Sequence, residues 1–384
     1  METFDVGIIG AGIHGASAAF HLTQAGAKPV IIERTVPAGG PTGRSSAICR
    51  AYYTNPFLAR IARDSIEMFE GFEELTGRDA GFRRTGLLYL HPPGDVADVA
   101  RSVGKLNELG IETQLLDVDT LAERFPAFDF EGIGVGAYEL GAGHSDPSAA
   151  TSGLFDRAVQ LGATPRIGLG VVALEPRRSG GAILGLSDGS RVACDTVLIA
   201  AGPWTRPLAL QAGADLPLHA ERHFVAVYRW AGVEPVPAHG DTAQGYYLRP
   251  EGDELFLSGK LLPEPPVDPD HLDESIHDDE AAWVAERLVD RVPHLAAAQV
   301  ARGWASLYDV SPDWQPVIGE VAPGVFVDAG TSGHGYKLAP ALGREVARMV
   351  LGEDTDRGLV DFHPSRFDDG RTLDAGYREA HILG

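Results

Sequence analysis

The chain has 384 residues, of which 44% are hydrophobic and 22% are charged, and its formal net charge at pH 7 is −22. This length exceeds what one simple hydrophobic core holds, so we expect a globular protein of two domains. The strong negative charge argues against nucleic acids and anionic membrane surfaces as partners, because both would repel the protein. Membrane insertion is not expected either, because no stretch approaches the ~20 apolar residues of a membrane span.

Cysteine is scarce, since Cys49 and Cys194 are the two occurrences in the sequence. Two cysteines are too few for a disulfide framework or a structural zinc site. The short acidic segment before the first apolar run does not have the pattern of a signal peptide. We therefore expect a cytoplasmic protein with reduced thiols and no metal, and the sequence leaves homo-oligomerisation open.

The first 34 residues carry the clearest pattern: an apolar strand, a glycine turn, a helix, a second strand and an acid. Gly10 permits the tight turn, Gly12 lets a pyrophosphate approach the backbone, and Gly15 lets the helix pack against the strand. The helix N-terminus offers unpaired N–H groups to phosphates. Glu33 stands where a carboxylate accepts hydrogen bonds from ribose hydroxyls. This pattern predicts a dinucleotide site, and by itself it does not distinguish FAD from NAD.

Apolar periodicity and glycine or proline punctuation predict the remaining elements. The Gly-Arg-Ser-Ser run at 43–46 is expected to begin a second helix, because serine side chains cap helices. Asp188-Gly189 predicts a hairpin turn, and 331–337 predicts a second glycine turn between a strand and a helix. The expected helices are 57–76, 95–109, 117–124, 146–161, 274–291 and 338–351; the expected strands are 86–90, 167–174, 182–187, 192–200, 218–230, 245–249, 254–259 and 324–330.

These segments together resemble the D-amino-acid oxidase superfamily of FAD enzymes, in its branch of sarcosine oxidase, glycine oxidase and sarcosine dehydrogenase-like proteins. The resemblance rests on the N-terminal unit, on 43–46, on the strand 197–202 with Pro203-Trp204, and on Gly-Thr-Ser-Gly-His-Gly-Tyr-Lys at 330–337. It implies an α/β fold (α+β overall), in which a Rossmann-like FAD-binding domain carries a second, mostly antiparallel-sheet substrate domain. The implied FAD-binding domain comprises 1–85, 145–215 and 300–384, and the implied substrate domain comprises 86–144 and 216–299.

The resemblance also implies where FAD lies. Glu33 would hold the adenosine ribose, Ser45 and Ser46 would contact the pyrophosphate region, and Val172 would present its backbone to the adenine. His334 is expected to contact the cofactor rather than act as a base. The full set of expected FAD contacts is Gly10, Gly12, Ile13, His14, Gly15, Glu33, Arg34, Ser45, Ser46, Val172, Gly202, Trp204, Gly333, His334, Gly335, Tyr336 and Lys337.

One position departs from the family pattern. Monomeric sarcosine oxidase attaches its flavin through a cysteine, and Ser306 stands at the corresponding place here. Because serine cannot form that thioether, we expect FAD to be bound non-covalently.

The expected reaction is oxidation of a C–N bond next to a carboxylate, with hydride transfer to the flavin, hydrolysis of the imine and dioxygen as the acceptor. Arg50 and Lys337 match the carboxylate-binding pair of sarcosine oxidase, and a carboxylate leaving water needs such cations. The alternatives are a surface salt bridge for Arg50 and a solvent-exposed lysine at a helix start for Lys337.

Lysine occurs only at 28, 105, 260 and 337, and the remaining Lys and Arg positions are all arginine. This scarcity makes each lysine a better candidate for a chemical role. Lys260 ends an expected strand, and a lysine beside the flavin would promote the reaction with dioxygen; the alternative is an exposed lysine after a hairpin. Tyr246 and Tyr308 are candidates for the substrate pocket, although aromatic core packing is the commoner explanation.

The sequence leaves two other functions open. A 2-hydroxy-acid dehydrogenase would use the same carboxylate site, but it needs a base for the hydroxyl proton, and His334 is the one histidine that the sequence suggests. A non-catalytic FAD-bearing subunit of a hetero-oligomeric dehydrogenase would not need Arg50 and Lys337. The sequence does not specify the side chain of the substrate.

Overall fold

The structure is a computed structural model, and it describes residues 1–373. Residues 374–384, which the sequence assigns to the FAD-binding domain, lie outside the described residues. Within residues 1–373, no helix combines the length and the apolar character that crossing a membrane requires.

The elements are numbered here in chain order. The strands are β1 Glu2–Ile9, β2 Pro29–Glu33, β3 Ile48–Cys49, β4 Arg83–Arg84, β5 Leu87–His91, β6 Thr113–Leu116, β7 Val135–Glu139, β8 Gly143–His144, β9 Thr164–Ile167, β10 Val171–Pro176, β11 Ala182–Leu186, β12 Arg191–Ile199, β13 His219–Arg229, β14 His239–Asp241, β15 Tyr246–Glu251, β16 Leu255–Lys260, β17 Pro266–Val267, β18 Gln299–Val310, β19 Val317–Ala322 and β20 Val325–Ala329. The helices are α1 Ile13–Gln24, α2 Pro56–Glu70, α3 Phe72–Thr76, α4 Val96–Glu108, α5 Val118–Arg124, α6 Pro147–Gln160, α7 Thr205–Gln211, α8 Asp278–Arg291 and α9 Gly335–Leu351.

The first sheet joins the two ends of the chain. Its strands follow the order β10-β11-β12-β1-β2-β9, with β20 paired to β12 and β19 paired to β20. One edge of β12 pairs in parallel with β1, and the other edge pairs with β11 and then with β20. Parallel strands of this kind are buried on both faces, and the apolar run of β1 accordingly ends in four buried residues. Helices α1 and α9 pack on each other against this sheet, so the N-terminal and C-terminal glycine turns come together.

The second sheet is mostly antiparallel and follows the order β17-β13-β16-β15-β14-β5-β7-β6, with β18 paired along the length of β13. Its one parallel contact joins β14 to β5. Helix α8 packs on this sheet through Val284 and Leu288, in a core that also contains Phe256. Fold class is therefore as the sequence predicts, a parallel-core sheet with a largely antiparallel second sheet. The exact domain boundaries stay a prediction.

Several predicted elements differ in their bounds. The helix predicted at 57–76 is interrupted at Gly71, which ends α2 and begins the short α3. The strand predicted at 167–174 is divided into β9 and β10, because the chain turns at Gly168 with a φ of 77°. Helix α9 begins at Gly335, three residues earlier than predicted, and α8 begins four residues later.

The helix predicted to begin at Ser45 and Ser46 does not exist. The chain instead makes a 3₁₀ turn over Pro41–Arg44, and Ser45 is extended with a ψ of 145°. The Ser45 hydroxyl accepts a hydrogen bond from the Ala47 amide at 3.0 Å, which leads the chain into β3. The two serines therefore shape a loop, and they do not cap a helix.

Candidate functional site

Residues of both sheets line a cavity of about 470 Å³. This volume is in the usual range for small-molecule sites. At one end it is lined by the glycine turn after β1 and by the end of β2; at the other it is lined by β13, β18 and the start of α9. Most of the residues predicted from the sequence line it: Gly10, Gly12, Ile13, His14, Glu33, Arg34, Ser45, Ser46, Arg50, Gly202, Trp204, Tyr308, Gly333, Gly335, Tyr336 and Lys337.

The first glycine turn has the geometry that a dinucleotide requires. Gly10 has a φ of 107°, and a Cβ at this position would lie 2.4 Å from the carbonyl oxygen of Ala200. A Cβ at Gly15 would lie 2.0 Å from the carbonyl oxygen of Gly10, so Gly15 supports the helix against the turn and does not line the cavity. Gly12 lines the cavity directly above the N-terminus of α1, where backbone N–H groups bind phosphates.

Glu33 is held in place at the far end of this site. One of its carboxylate oxygens accepts the Ala11 amide at 2.9 Å, and the other accepts the amide and the hydroxyl of Thr35 at 2.8 and 2.9 Å. The carboxylate thereby faces the cavity at the position expected for a ribose. The neighbouring Arg34 lies over the Trp204 ring at 3.7 Å, and the Trp204 indole N–H donates to Asp270 at 2.7 Å.

Val172 lies beside the cavity wall: the residue is 63% exposed, whereas its neighbours Gly170 and Val171 line the cavity. The expected contact is made by the backbone of Val172 and does not depend on the direction of its side chain, so it stays a prediction. His334 is also absent from the wall: the residue is fully buried and its ring packs 5.6 Å from that of Tyr53.

Arg50 and Lys337 lie together at the other end of the cavity, and neither is a surface residue. They are 3% and 7% exposed, and both line the wall. The Arg50 guanidinium donates to the Tyr52 carbonyl oxygen and lies 4.3 Å over the Tyr53 ring. Burial, together with the charge of Arg50, holds the pKa of the Lys337 ammonium well below its ordinary value. The alternatives of an exposed salt bridge and a solvent-exposed lysine are therefore wrong.

Glu139 supports the backbone next to Arg50, and no sequence motif indicates this role. Its two carboxylate oxygens accept the amides of Ala51 and Tyr52 at 2.7 and 3.0 Å. Burial raises the pKa of Glu139 to about 7, although these hydrogen bonds and the charge of Arg50 oppose that shift. The carboxylate thus fixes the backbone that immediately follows Arg50.

Lys260 and Tyr246 do not reach the cavity. The Lys260 ammonium is paired with Glu264 at 2.6 Å and lies 5.5 Å from the Trp283 ring. Tyr246 is fully buried in the second sheet's core, where its hydroxyl contacts Nε2 of His239 at 3.0 Å. Both positions lie outside the cavity wall, so the expectation that they face a flavin or a substrate is not met.

Tyr308 does line the cavity, and it packs on His223, which the sequence did not indicate as a functional residue. Its ring stacks on the imidazole of His223 with centroids 3.9 Å apart. Nε2 of His223 lies 3.1 Å from Oε2 of Glu221, and among residues 1–373 its buried Nδ1 has no hydrogen-bond partner. Because a carboxylate only accepts, Nε2 carries the proton and Nδ1 presents a lone pair.

Glu221 is held in its charged form by several donors. Its carboxylate also accepts from His219 at 2.9 Å and from the Glu264 amide at 2.8 Å. Burial alone would raise the pKa of Glu221, but the hydrogen bonds from His223, Glu264 and His219 keep it below its ordinary value. The pair of Glu221 and His223 therefore has the arrangement of an oriented base at the cavity wall. Glu221 and His223 are two residues apart in β13, so their side chains lie on the same face of the strand. No sequence motif identifies them.

These features fit FAD: a tight glycine turn at the N-terminus of α1 that has no room for a Cβ at Gly10, an oriented carboxylate for a ribose, and a continuing cavity for a ring system. Ser306 also lines the cavity.

Comparison with known proteins gives the family. The family described as "DAO: FAD dependent oxidoreductase" matches residues 5–349. The 4-methylaminobutanoate oxidase (formaldehyde-forming) of Paenarthrobacter nicotinovorans is 28% identical over 373 residues, which cover 90% of this chain and 43% of that protein. The mitochondrial dimethylglycine dehydrogenase of Rattus norvegicus is 28% identical over 395 residues, covering 97% of this chain and 46% of that protein. The chain thus spans about half the length of the curated relatives that it matches first.

Two further proteins resemble this chain over nearly their whole length. Monomeric sarcosine oxidase of Streptomyces avermitilis is 25% identical over 386 residues, covering 95% of this chain and 98% of that one. The crystal structure of L-proline dehydrogenase from P. horikoshii superposes with a TM-score of 0.87 at 23% identity, covering 97% of this chain and 100% of the other. That likeness shows the shared fold. The family match extends from the strand before the first glycine turn to the helix after the second, and the chain belongs to the DAO family of FAD-dependent oxidoreductases.

Proposed function

We propose that this protein oxidises the C–N bond of a small amino acid or N-alkyl amino acid. The observation that carries the proposal is the pair of buried cations, Arg50 and Lys337, in the same cavity as the dinucleotide cradle. Two buried cations beside each other are unfavourable unless an anion joins them. A substrate carboxylate is an anion that fits, and the presence of both cations argues against a non-catalytic FAD-bearing subunit.

The residues divide the work of the reaction. Arg50 and Lys337 bind the carboxylate and thereby fix the α-carbon, which is a positioning effect. Nδ1 of His223 accepts a proton from the substrate ammonium, so that the nitrogen lone pair can form the C=N bond. The glycine turn with Gly10 and Gly12, together with Glu33, would hold FAD, which would supply a hydride acceptor for the α-carbon or the N-alkyl carbon bonded to the nitrogen. Water then hydrolyses the imine to an oxo acid or aldehyde and the free amine.

Dioxygen is the proposed electron acceptor, with hydrogen peroxide as the product, and FAD is proposed to be non-covalent because of Ser306. Charge stabilisation promotes electron transfer to dioxygen. Lys260 is paired with Glu264 outside the cavity wall, so Lys337 and Arg50 are the cations proposed for this effect.

Oxidation of a 2-hydroxy acid is the second candidate, and a specific observation favours it. The sequence suggested no base for a hydroxyl proton besides His334, whereas His223 with Glu221 has the arrangement of such a base. The same two cations would bind the carboxylate. Both candidates therefore share the anchor and differ in the bond that is oxidised.

Anaerobic bleaching of the bound flavin distinguishes the candidates. The panel comprises glycine, sarcosine, N,N-dimethylglycine, 4-methylaminobutanoate and L-proline, with lactate and 2-hydroxyglutarate as hydroxy acids. Bleaching by amines alone supports the first proposal, bleaching by hydroxy acids alone supports the second, and bleaching by neither across a wide panel contradicts both. Admitting air afterwards tests the acceptor: flavin that reoxidises far more slowly than it turns over with an artificial acceptor contradicts the oxidase proposal.

The role of His223 has its own test. His223→Asn should slow bleaching and remove the rise of the reduction rate with pH that deprotonation of a base produces. His271→Asn is the matched control, because this histidine is 83% exposed on the surface. An unchanged pH profile in His223→Asn would rule out the imidazole as the base.

A further inference from the structure

His14 lies in the wall of the cavity, where two acceptors face its ring. It is the second residue of α1, and its Nδ1 lies 2.8 Å from Oδ2 of Asp328 while its Nε2 lies 3.1 Å from the carbonyl oxygen of Gly335. A carboxylate and a carbonyl both accept, so the imidazolium, with a proton on each nitrogen, is the form that satisfies both contacts. Burial alone would lower the pKa of His14, but the charges of Asp328 and Asp309 raise it.

One carboxylate oxygen of Asp328 has a hydrogen-bond partner, and the other has none among the described residues. Its side chain is fully buried near the end of β20, and the residue lines the cavity. Oδ2 contacts His14, whereas Oδ1 has no hydrogen-bond partner within the described part of the chain. A buried acceptor without a donor is unfavourable. The charge of the carboxylate is balanced by the imidazolium, so the remaining requirement at Oδ1 is a hydrogen-bond donor.

The place of Asp328 along the cavity limits what that donor can be. Asp328 contacts His14, which follows Gly12 and Ile13 of the phosphate cradle, and His14 contacts the carbonyl oxygen of Gly335, two residues before Lys337. A phosphate diester has no hydrogen-bond donor at neutral pH and cannot supply this contact. The chemical group of FAD that follows the pyrophosphate on the way to the ring is the ribityl chain, which carries hydroxyl donors.

We propose that Oδ1 of Asp328 accepts a hydrogen bond from a ribityl hydroxyl of FAD, and that His14 is the positioning residue that holds this carboxylate. Gly335 makes the arrangement possible, because a Cβ there would lie 2.8 Å from Nε2 of His14 and 2.6 Å from the Thr331 hydroxyl. Asp309 completes the cluster by accepting that hydroxyl at 2.9 Å. The inference rests on FAD as the cofactor and is independent of the substrate.

Binding of FAD to the apoprotein, followed by quenching of flavin fluorescence without substrate, tests the proposal. The ligands are FAD and its 2′-, 3′- and 4′-deoxyribityl analogues. The wild-type protein should bind one of these analogues about 10- to 100-fold more weakly than FAD, the range for a hydrogen bond to a charged acceptor. Asp328→Ala should weaken FAD binding by a similar factor and should bind that same analogue no more weakly than it binds FAD.

Two further variants separate the contact from general structural damage. Glu33→Gln, at the far end of the cavity, should weaken FAD and all three analogues by the same factor. His14→Asn should reduce the preference for FAD over the sensitive analogue, whereas a purely structural role would weaken both ligands and leave that preference unchanged.

The proposal is overturned if the wild-type protein binds every deoxyribityl analogue as tightly as FAD, a result that requires no variant to fold. It is also overturned if Asp328→Ala weakens FAD and all analogues equally. Because no substrate is present in these measurements, failure of the proposed reaction would leave their outcome unchanged.

Discussion

Replacing Lys337 by methionine should change ligand binding and stability in opposite directions. The lysine is buried beside Arg50, and both its burial and that charge lower the pKa of its ammonium, so its surroundings disfavour the charged form. Lys337→Met retains the length of the side chain and removes the charge. Replacement of buried charges by apolar side chains of similar volume stabilises proteins by about 0–4 kcal/mol. The FAD-loaded variant without a carboxylate ligand should therefore unfold at the same or a higher temperature than the wild type.

The same variant should bind carboxylates poorly. Removing one partner of a buried charge interaction weakens binding by about 2–5 kcal/mol, which corresponds to roughly a 30- to 5,000-fold rise in Kd. Benzoate, titrated while the flavin absorbance is followed, measures this loss, and benzyl alcohol serves as the uncharged control ligand. Lys105→Met is the matched variant, because Lys105 is exposed on α4, and it should change neither quantity.

Either of two results would refute the reasoning. If Lys337→Met bound benzoate as tightly as the wild type, the anion site would lie elsewhere or need Arg50 alone. If the variant were strongly destabilised and also lost benzyl alcohol binding, Lys337 would be a packing residue. Loss of benzoate binding with retained stability is the outcome that the buried, cationic environment predicts.

Three further outcomes are expected. Acid precipitation should release all of the flavin as FAD, because Ser306 cannot form a thioether, and yellow colour in the washed pellet would contradict this. Lys260→Met should leave both anaerobic reduction and reoxidation in air unchanged, because its ammonium is paired with Glu264 outside the cavity wall; selectively slower reoxidation would restore the original hypothesis for this lysine. Glu139→Gln should alter the pH dependence of unfolding: the pKa of Glu139 is raised from 4.5 to about 7 in the folded protein, so its contribution to stability is present below pH 4.5 and is lost as the pH rises through 7. The wild-type minus variant difference in unfolding free energy should thus fall by about 3 kcal/mol across that window, from 1.36 kcal/mol per pKa unit, and a flat difference in urea titrations would contradict the assignment.

The sequence predicted those parts of the site that are local in the chain. Gly10, Gly12 and Glu33 belong to one continuous unit, and their spacing alone defines the phosphate cradle. Arg50 and Lys337 could be paired only through family resemblance, because 286 residues separate them in the sequence.

The contributions that prediction missed all depend on tertiary contacts. Glu139 comes from β7 to hold the backbone after Arg50, and Glu221 orients His223 across a face of β13. The error at Lys260 has the same origin, since the partner Glu264 is visible in the sequence but the direction of the side chain is not.

The pairing of both β1 and β20 with β12 has a consequence for biosynthesis. The cradle begins at residue 9 and its wall is completed only by residues 333–337, while β20 occupies the remaining edge of β12. During synthesis part of a sheet edge of the N-terminal unit therefore stays uncovered until residues 325–337 have left the ribosome. Such intermediates tend to aggregate, and a cofactor that binds only the completed fold draws the population towards it. We expect the soluble yield in a riboflavin-auxotrophic host to follow the riboflavin supply; a yield that is constant from limiting to excess vitamin would show that the two ends assemble without the cofactor.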